Sequence, residues 1–306
     1  MTGKIIRYLK KAGAVVSGQA ISDSLGISRV SVWKHVRKLQ DLGYTIESTP
    51  KGYHLTGSPD KCLPWEFADR EANIHYFAQT SSTMDRAREL ARKGCPHFTV
   101  AVAERQDNGR GRLKRTWTSA SGGLYFTLVL RPQLPPVLSS RINFAVALTL
   151  ANLLNEKYKI NAMVKWPNDI LVAEKKVAGI LSEMETEADL LSFFNIGIGI
   201  NVNNQPPADV AQAAALKDFA GQSLSRRELL ADFLNAFEAR LETISDNDIV
   251  AEWKKQTITL NRMVKIVTLN DTYQGLAVDV DESGALVLQM ADGSMKRVVY
   301  GDCFHA

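Results

Sequence analysis

Apolar positions near the start of the chain recur at helical spacing. Ile5, Ile6, Tyr8 and Leu9 make the stripe of a first helix that the pattern ends near Gly13. Ser17 opens a second helix with Ile21 and Leu25 inward, and Gly26 breaks it where a tight turn needs positive φ. Ser28 opens a third, with Val32, Val36 and Leu39 on one face and Arg29, Lys34, Arg37 and Lys38 on the other. YTIESTPKGYHL then alternates as a strand pair around Pro50-Lys51-Gly52.

That order of elements resembles a helix-turn-helix with Leu-Gly-Ile-Ser as its turn, followed by a wing. Charge sharpens the picture. Residues 1–57 carry six Lys and three Arg against Asp23, Asp41 and Glu47, a net +6, while the whole chain is +4, so the rest is −2. A basic head on a mildly acidic body implies a polyanionic partner for the head. The candidate DNA contacts are Ser28, Arg29, Ser31, Lys34, His35, Arg37, Lys38 and Lys51. The basic side chains would fix register on phosphates, and those nearest the start of the third helix would reach base edges. A three-helix bundle used for protein contacts is the alternative.

Residues 58–72 are polar with two prolines and read as a linker. Beyond them, helical stretches (DRARELARKG, INFAVALTLANLLNEKY, SRRELLADFLNAFEARLETI) mix with strand-like ones (FTVAVAERQ, GGLYFTLVLRP, AMVKWPNDILV, FFNIGIGINVN). From about Asn261 only short strands remain, with turns at Asn270-Asp271, Ser283-Gly284 and Asp292-Gly293, which predicts a small β-barrel. The expected class is α+β: a winged helix-turn-helix over 1–57, a linker over 58–72, a mixed α/β domain over 73–258 and a small barrel over 259–306.

Composition excludes several classes. Hydrophobic residues are 45% and charged ones 23%, as in globular proteins. No apolar run approaches the roughly 20 residues that cross a bilayer, and MTGKIIRYLKKAG lacks the apolar core and cleavage site of a signal peptide. Cys62, Cys95 and Cys303 lack metal-ligand spacing and fit a reducing cytoplasm.

Candidate chemistry concentrates in Gln106-Asp107-Asn108-Gly109-Arg110-Gly111-Arg112-Leu113-Lys114-Arg115-Thr116-Trp117. Four cations spaced by two glycines do not pack in a core, and the backbone can wrap an anion. A flexible basic surface loop is the alternative. Neither a Walker loop nor a dinucleotide fingerprint is present. Lys165-Trp166-Pro167-Asn168-Asp169 follows a strand-like segment and precedes Lys176 and Gly179, a set suited to phosphate and magnesium, although either lysine alone could be a solvent-facing charge. Gly197-Ile198-Gly199-Ile200-Asn201 is a strand with bare positions, for ligand approach or for tight strand packing.

QDNGRGRLKRTWTSASGGLYFT and KWPNDILVAEKKVAGILSEM closely resemble the signature motifs of biotin–protein ligases, and Ser81-Ser82-Thr83 and GIGINVN resemble two further elements in the same order. With the winged helix ahead and the barrel behind, the resemblance to the bifunctional ligase and biotin-operon repressor type spans essentially the whole chain. It implies a biotin/lipoate ligase-type central domain and an SH3-like barrel. It implies that biotin and Mg·ATP form biotinyl-5′-adenylate, which a carrier-domain lysine of a biotin-dependent carboxylase then attacks. Ser82, Thr83 and Gln106 would hold the biotin head group, beside Met84 and Gly111. Arg110 and Arg112 would hold the phosphate and Lys176 the carboxylate. Lys165, Asn168 and Asn201, with Arg112, Arg115 and Trp117, would serve ATP and its Mg2+, Gly179 and Gly199 would leave room for ligand, Arg115 would support the loop and Trp117 would pack at its end. Lys176, Arg110, Arg112 and Lys165 are the catalytic candidates. The resemblance further implies a cytoplasmic protein, repression at biotin-synthesis operators, no membrane partner and a homodimer when adenylate is bound.

Two positions depart from the family pattern. Met84 stands where many members have Asn, and Ala213-Ala214-Ala215-Leu216-Lys217 lacks the Trp that some members place over adenine. A lipoate–protein ligase would instead carry Arg-Arg-x-x-Gly-Gly-Gly-Ala-Val. A ligand-sensing transcription factor without catalysis would have little need for Lys165 and Lys176 beside the arginine loop.

Overall fold

The computed structural model describes residues 1–131, 139–187, 190–207, 212–242, 244 and 248–305, arranged as two compact units, Met1–Ala72 and Asn73–Ala306. Pro132, which ends one expected strand, and Thr243, the last residue but one of an expected helix, lie outside the described residues.

In the first unit, α1 (Thr2–Ala12), α2 (Gly18–Leu25) and α3 (Arg29–Asp41) bury Ile5, Ile6, Leu9, Ile21, Val32, Val36 and Leu39 against one another. Ser17 and Ser28 cap α2 and α3, accepting hydrogen bonds from Ala20 N (3.0 Å) and Ser31 N (3.2 Å). Strands β1 (Thr45–Thr49) and β2 (Gly52–Gly57) form the hairpin, and Val16 pairs with Tyr53 beside it through bonds of 2.9 and 2.8 Å. The winged helix-turn-helix therefore forms as its periodicity implies.

Residues 58–72, expected as linker, instead fold back on the helices through 3-10 turns at Pro64–Glu66 and Ala68–Asn73. Cys62, Leu63 and Phe67 are buried; Trp65 packs against Gly3 and donates to Tyr44 Oη (2.8 Å). Lys10 and Arg7 of α1 pair with Glu66 (2.6 Å) and Glu71 (2.5 Å). The apolar kernel CLPWEF outweighs its flanking prolines and charges.

The second unit is built on a seven-stranded sheet of order β3-β4-β5-β9-β8-β7-β6. Its strands are β3 (Ile74–Phe77), β4 (Thr99–Ala103), β5 (Leu124–Leu130), β6 (Ala162–Lys165), β7 (Asp169–Val172), β8 (Lys175–Glu187) and β9 (Leu190–Ile200). Only β3 and β4 run parallel. The segment AMVKWPNDILV is a hairpin rather than one strand, turning at Trp166-Pro167-Asn168 through a cis Trp166–Pro167 bond. Helix α4 (Thr83–Arg92) seats Ala87 and Ala91 on Ala101, Val129 and Phe193 of one sheet face. On the other face lie α5 (Ser139–Glu156), α7 (Arg226–Glu242) and α8 (Ile249–Gln256). Phe126 meets Phe233 at 5.6 Å there, and Phe144 stacks on Trp253 at 4.8 Å. A short α6 (Leu216–Ala220) precedes α7.

The C-terminal segment is a five-stranded antiparallel sheet of order β13-β12-β11-β10-β14, from β10 (Met263–Val267), β11 (Thr272–Val280), β12 (Leu286–Gln289), β13 (Met295–Val298) and β14 (Asp302–His305). It joins the larger sheet through Trp166, a buried side chain whose Nε1 donates to Gly284 O (3.0 Å) and whose backbone N donates to Thr259 Oγ1 (2.9 Å). Among the described residues no helix is long and apolar enough to cross a membrane.

Candidate functional site

One face of β9 presents Asn195, Gly197 and Gly199, since side chains alternate along a strand and Ile196, Ile198 and Ile200 turn to the helices. Over this bare face, between the start of α4, the loop 106–117, the Trp166 hairpin and β14, opens a cavity of about 390 Å³. Every catalytic and ligand-binding residue expected from the sequence lines it: Ser82, Thr83, Met84, Gln106, Arg110, Gly111, Arg112, Arg115, Trp117, Lys165, Asn168, Lys176, Gly179, Gly199 and Asn201.

The α4 end is a closed polar network. Gln106 Oε1 accepts from Thr83 N (2.7 Å) and Thr83 Oγ1 (3.0 Å), and Gln106 Nε2 donates to Ser119 Oγ (2.8 Å). Thr127 Oγ1 donates to Thr83 Oγ1 at 2.9 Å. Ser82 is fully buried and caps α4 by accepting from Met84 N. Met84 lays its thioether over Gly197, where a Cβ would stand 2.6 Å from its Sδ.

The arginine loop closes on itself. Gly111 N donates to Arg115 O (2.8 Å) and Trp117 N to Gly109 O (2.8 Å). Its left-handed residue is Leu113 (φ 50), not a glycine; Gly109 is needed because a Cβ there would meet Trp117 O at 2.3 Å. The loop's cations divide. Arg110 bonds to Asp85 and Glu183, at 3.0 Å each, and so turns toward α4 and β8. Arg115 pairs with Asp302 of β14 (2.5 Å) and lies over Phe304. Arg112 is half-buried, donates only to Asn168 Oδ1 (3.3 Å), and has no carboxylate at ion-pair distance among the described residues. Burial, the dominant cause, pulls its pKa below the ordinary guanidinium value.

Across the cavity, Lys176 pairs with Asp169 (2.7 Å) and sits 5.3 Å from the centre of the Trp117 ring. Lys165, at the end of β6, shares Arg112's lack of a carboxylate partner and neighbours Cys303, whose buried thiol is pushed up to about 12. Gly179 and Gly199 pair across β8 and β9, and the indole of Trp117 covers both: added Cβ atoms would stand 3.0 and 2.6 Å from it. The space expected for ligand over these glycines holds Trp117. Asn168 and Asn201 are tied to the protein, Asn168 Nδ2 donating to Ile180 O and Asn201 Oδ1 accepting from Asn204 (2.8 Å). Ala213 lines the cavity and bridges to Lys176; the aromatic faces there come from Trp117, Trp166 and Phe304.

Sequence reasoning missed Asp85, Glu183 and Asp302, the acids that hold Arg110 and Arg115. Each is an ordinary surface-type residue by sequence, and only the fold brings it to the loop.

On the first unit, Arg29, Lys34, Arg37, Lys38 and Lys51 are exposed, as expected of contact residues. Ser28 gives its hydroxyl to the α3 cap, and His35 is half-buried with its Nδ1 2.9 Å from Thr2 Oγ1. Burial lowers the His35 pKa first, with the terminal amine and Lys38 adding to it. Both residues serve the bundle.

Three sequence families match in succession: an HTH domain over residues 3–54, the biotin/lipoate A/B protein ligase family over 76–203 and a biotin protein ligase C terminal domain over 259–306. The bifunctional ligase/repressor BirA of Bacillus subtilis is 35% identical over 97% of this chain and 96% of its own length. The protein of that name from Escherichia coli is 28% identical over 98% of this chain and 95% of its own. The structure of a biotin protein ligase from Aquifex aeolicus in complex with biotin and ATP superposes with a TM-score of 0.65 at 28% identity, over 76% of this chain and 98% of that one.

Proposed function

This chain belongs to the bifunctional biotin ligase/repressor family, and on that premise we propose that it activates biotin with ATP, transfers it to a carrier lysine and represses biotin-synthesis genes. The observation that carries the catalytic part is electrostatic. Arg112 and Lys165 face one cavity without a carboxylate at ion-pair distance among the described residues, and the lining cations outnumber the carboxylates Asp169, Glu174 and Asp302, so the site holds an excess of positive charge suited to a polyphosphate. Cations fixed in a partly desolvated site bind charge that grows on an α-phosphate more strongly than water does.

In the first half-reaction the biotin carboxylate attacks the α-phosphorus of ATP, forming the acyl–phosphate bond as the bond to pyrophosphate breaks. The substrate supplies the nucleophile, so the site needs no Ser or Cys activated by His. Arg112 and Lys165 hold phosphate oxygens, and Lys176 holds the carboxylate after exchanging Asp169 for it. Thr83, Gln106 and Ser82 edge the α4 end, where the head group binds, with Met84 as its apolar wall. Arg110 and Arg115 hold the loop in shape rather than contacting phosphate. In the second half-reaction an uncharged carrier lysine attacks the acyl carbon and AMP leaves.

Magnesium would be carried in by ATP, where it would neutralise part of the phosphate charge. The residues present fit an ion held chiefly by those phosphates: Asn168 Oδ1, 3.3 Å from Arg112, and Asp169, 2.7 Å from Lys176, are cavity oxygens that would meet it, and the described residues hold no group of three acidic, His or Cys side chains placed for a metal. DNA binding belongs to 1–57 with 58–72 folded onto it, catalysis to 73–258, and residues 259–306 close one cavity wall. Adenylate-dependent homodimerisation completes the proposal.

Incubation with biotin, Mg·ATP and a biotin carboxyl carrier domain should add one biotin to the carrier, read as a mass increase. No increase with an active carrier would overturn the ligase reading. A gel shift on a biotin-synthesis promoter tests the repressor reading separately.

A further inference from the structure

Two large apolar side chains on α3 stand mostly in water: Val30 is 63% exposed and Trp33 53% exposed. Val30, Trp33, Lys34 and Arg37 follow i, i+3, i+4, i+7 spacing, which places them on one stripe, opposite the buried Val32, Val36 and Leu39. The apolar pair occupies the first half of the helix. Cations surround it, with Arg29 before it, Lys34 beside it and Arg37 one turn on.

We propose that Val30 and Trp33 read thymine 5-methyl groups in the major groove and so set part of the operator sequence. The inference rests on the DNA-binding reading of this unit. A helix-turn-helix presents the start of its recognition helix to base edges, and that is where the pair sits. The major groove offers donors, acceptors and one apolar group, the thymine methyl. Val30 carries no hydrogen-bonding side-chain atom, so among base edges only that methyl suits it. Two polar side chains of this region are also committed elsewhere, Ser28 to the helix cap and His35 to Thr2. The net +6 of residues 1–57 favours a polyanion over an apolar protein, and a second copy would bring the same positive face.

The test uses the full chain with biotin and Mg·ATP, and the tightest duplex it selects from a random pool. Each thymine of that duplex is replaced in turn by deoxyuridine, which removes only the methyl. Wild type should lose about fourfold in affinity at one or more thymines, the worth of one buried methyl. Val30→Ala or Trp33→Ala should bind the parent duplex more weakly and lose the discrimination at that position. Lys34→Ala should weaken all duplexes, lower the salt slope by about one and keep the discrimination. Because both apolar residues are exposed, thermal melting should be unchanged; Trp33→Phe provides a second, conservative variant. A wild type indifferent to every deoxyuridine overturns the inference while leaving DNA binding intact. Variants that keep the discrimination, or change only self-association, overturn it too. Failure to select any duplex overturns the DNA-binding reading itself.

Discussion

Lys176 Nζ lies 2.7 Å from Asp169 Oδ1 inside the cavity. The pair holds the ammonium group among the other cations, and a substrate carboxylate can replace Asp169 at little electrostatic cost. Lys176→Ala should therefore lower biotin-dependent ATP–pyrophosphate exchange by about 10²–10³-fold, the scale of one fixed electrostatic donor. Melting should be unchanged, because a half-exposed ion pair contributes little stability. A near-normal exchange rate would remove Lys176 from the chemistry.

Gly199→Ala places a methyl 2.6 Å from Trp117 Nε1 and Cε2, so the indole must leave the sheet. Adenylate formation should fall about tenfold, equivalent to ~1.4 kcal/mol of barrier. The double variant Gly199→Ala/Trp117→Phe should recover part of that loss, because a smaller ring relieves the clash. Additive losses would show that the contact does not matter.

The regular parts of this molecule were legible because period and function coincide. Val32, Val36 and Leu39 had to face inward, and their spacing says so. The site list was legible as membership, since the motif residues all reach one cavity, but not as roles. Nothing near Arg110 in sequence marks Asp85 and Glu183 as its partners, because they arrive from α4 and β8. Nor does the alternation of Gly197 and Gly199 say whether ligand or the chain's own Met84 and Trp117 fills the space. Residues 58–72 misled through composition: four buried or packed apolar groups decide their fold, while prolines and charges dominate their count.

His305 predicts the direction of acid sensitivity in the second unit. Burial first, then Lys165 and Arg262, lower its folded pKa below 6.5, against the opposing pull of Glu174. Below pH 6.5 the unfolded chain therefore binds a proton that the folded chain resists. The stability contributed by neutral His305 is complete above pH 6.5 and declines as pH falls from there toward the folded pKa. Urea midpoints measured from pH 8 to 5 should drop through this window, with a shallower drop in His305→Gln. An equally steep drop would assign the effect to other groups.

A chain starting at Asn73 should keep adenylate synthesis and lose DNA binding. The boundary follows the compact units rather than the prolines, because removing only residues 1–57 would strip Trp65 and Leu63 of their packing partners. The shorter deletion should therefore be more prone to aggregate than the longer one, as exposed apolar groups predict. Loss of adenylate synthesis in the Asn73 chain would show that the two units are not functionally separable.

The proposed ligand-coupled association would draw on how the loop's charges are distributed. Asp85, Glu183 and Asp302 already neutralise Arg110 and Arg115, so the loop is held toward closure by acids of α4, β8 and β14. Arg112 lacks such a partner at ion-pair distance among the described residues, and in the proposed reaction the adenylate phosphate would supply one. Closure completed by adenylate would favour a homodimer if the closed loop borders the dimer surface. Two winged helices then engage two half-sites at once, raising apparent DNA affinity through effective concentration. Linkage makes the coupling reciprocal: operator DNA must tighten adenylate retention by the factor that adenylate tightens DNA binding. Sedimentation with and without biotin plus Mg·ATP should show a shift toward dimer, and added carrier domain should reverse it by consuming the adenylate. Asp302→Asn, which leaves Arg115 unpaired, should need more adenylate for the same shift. An unchanged monomer–dimer balance would sink the coupling and leave the ligase assignment standing.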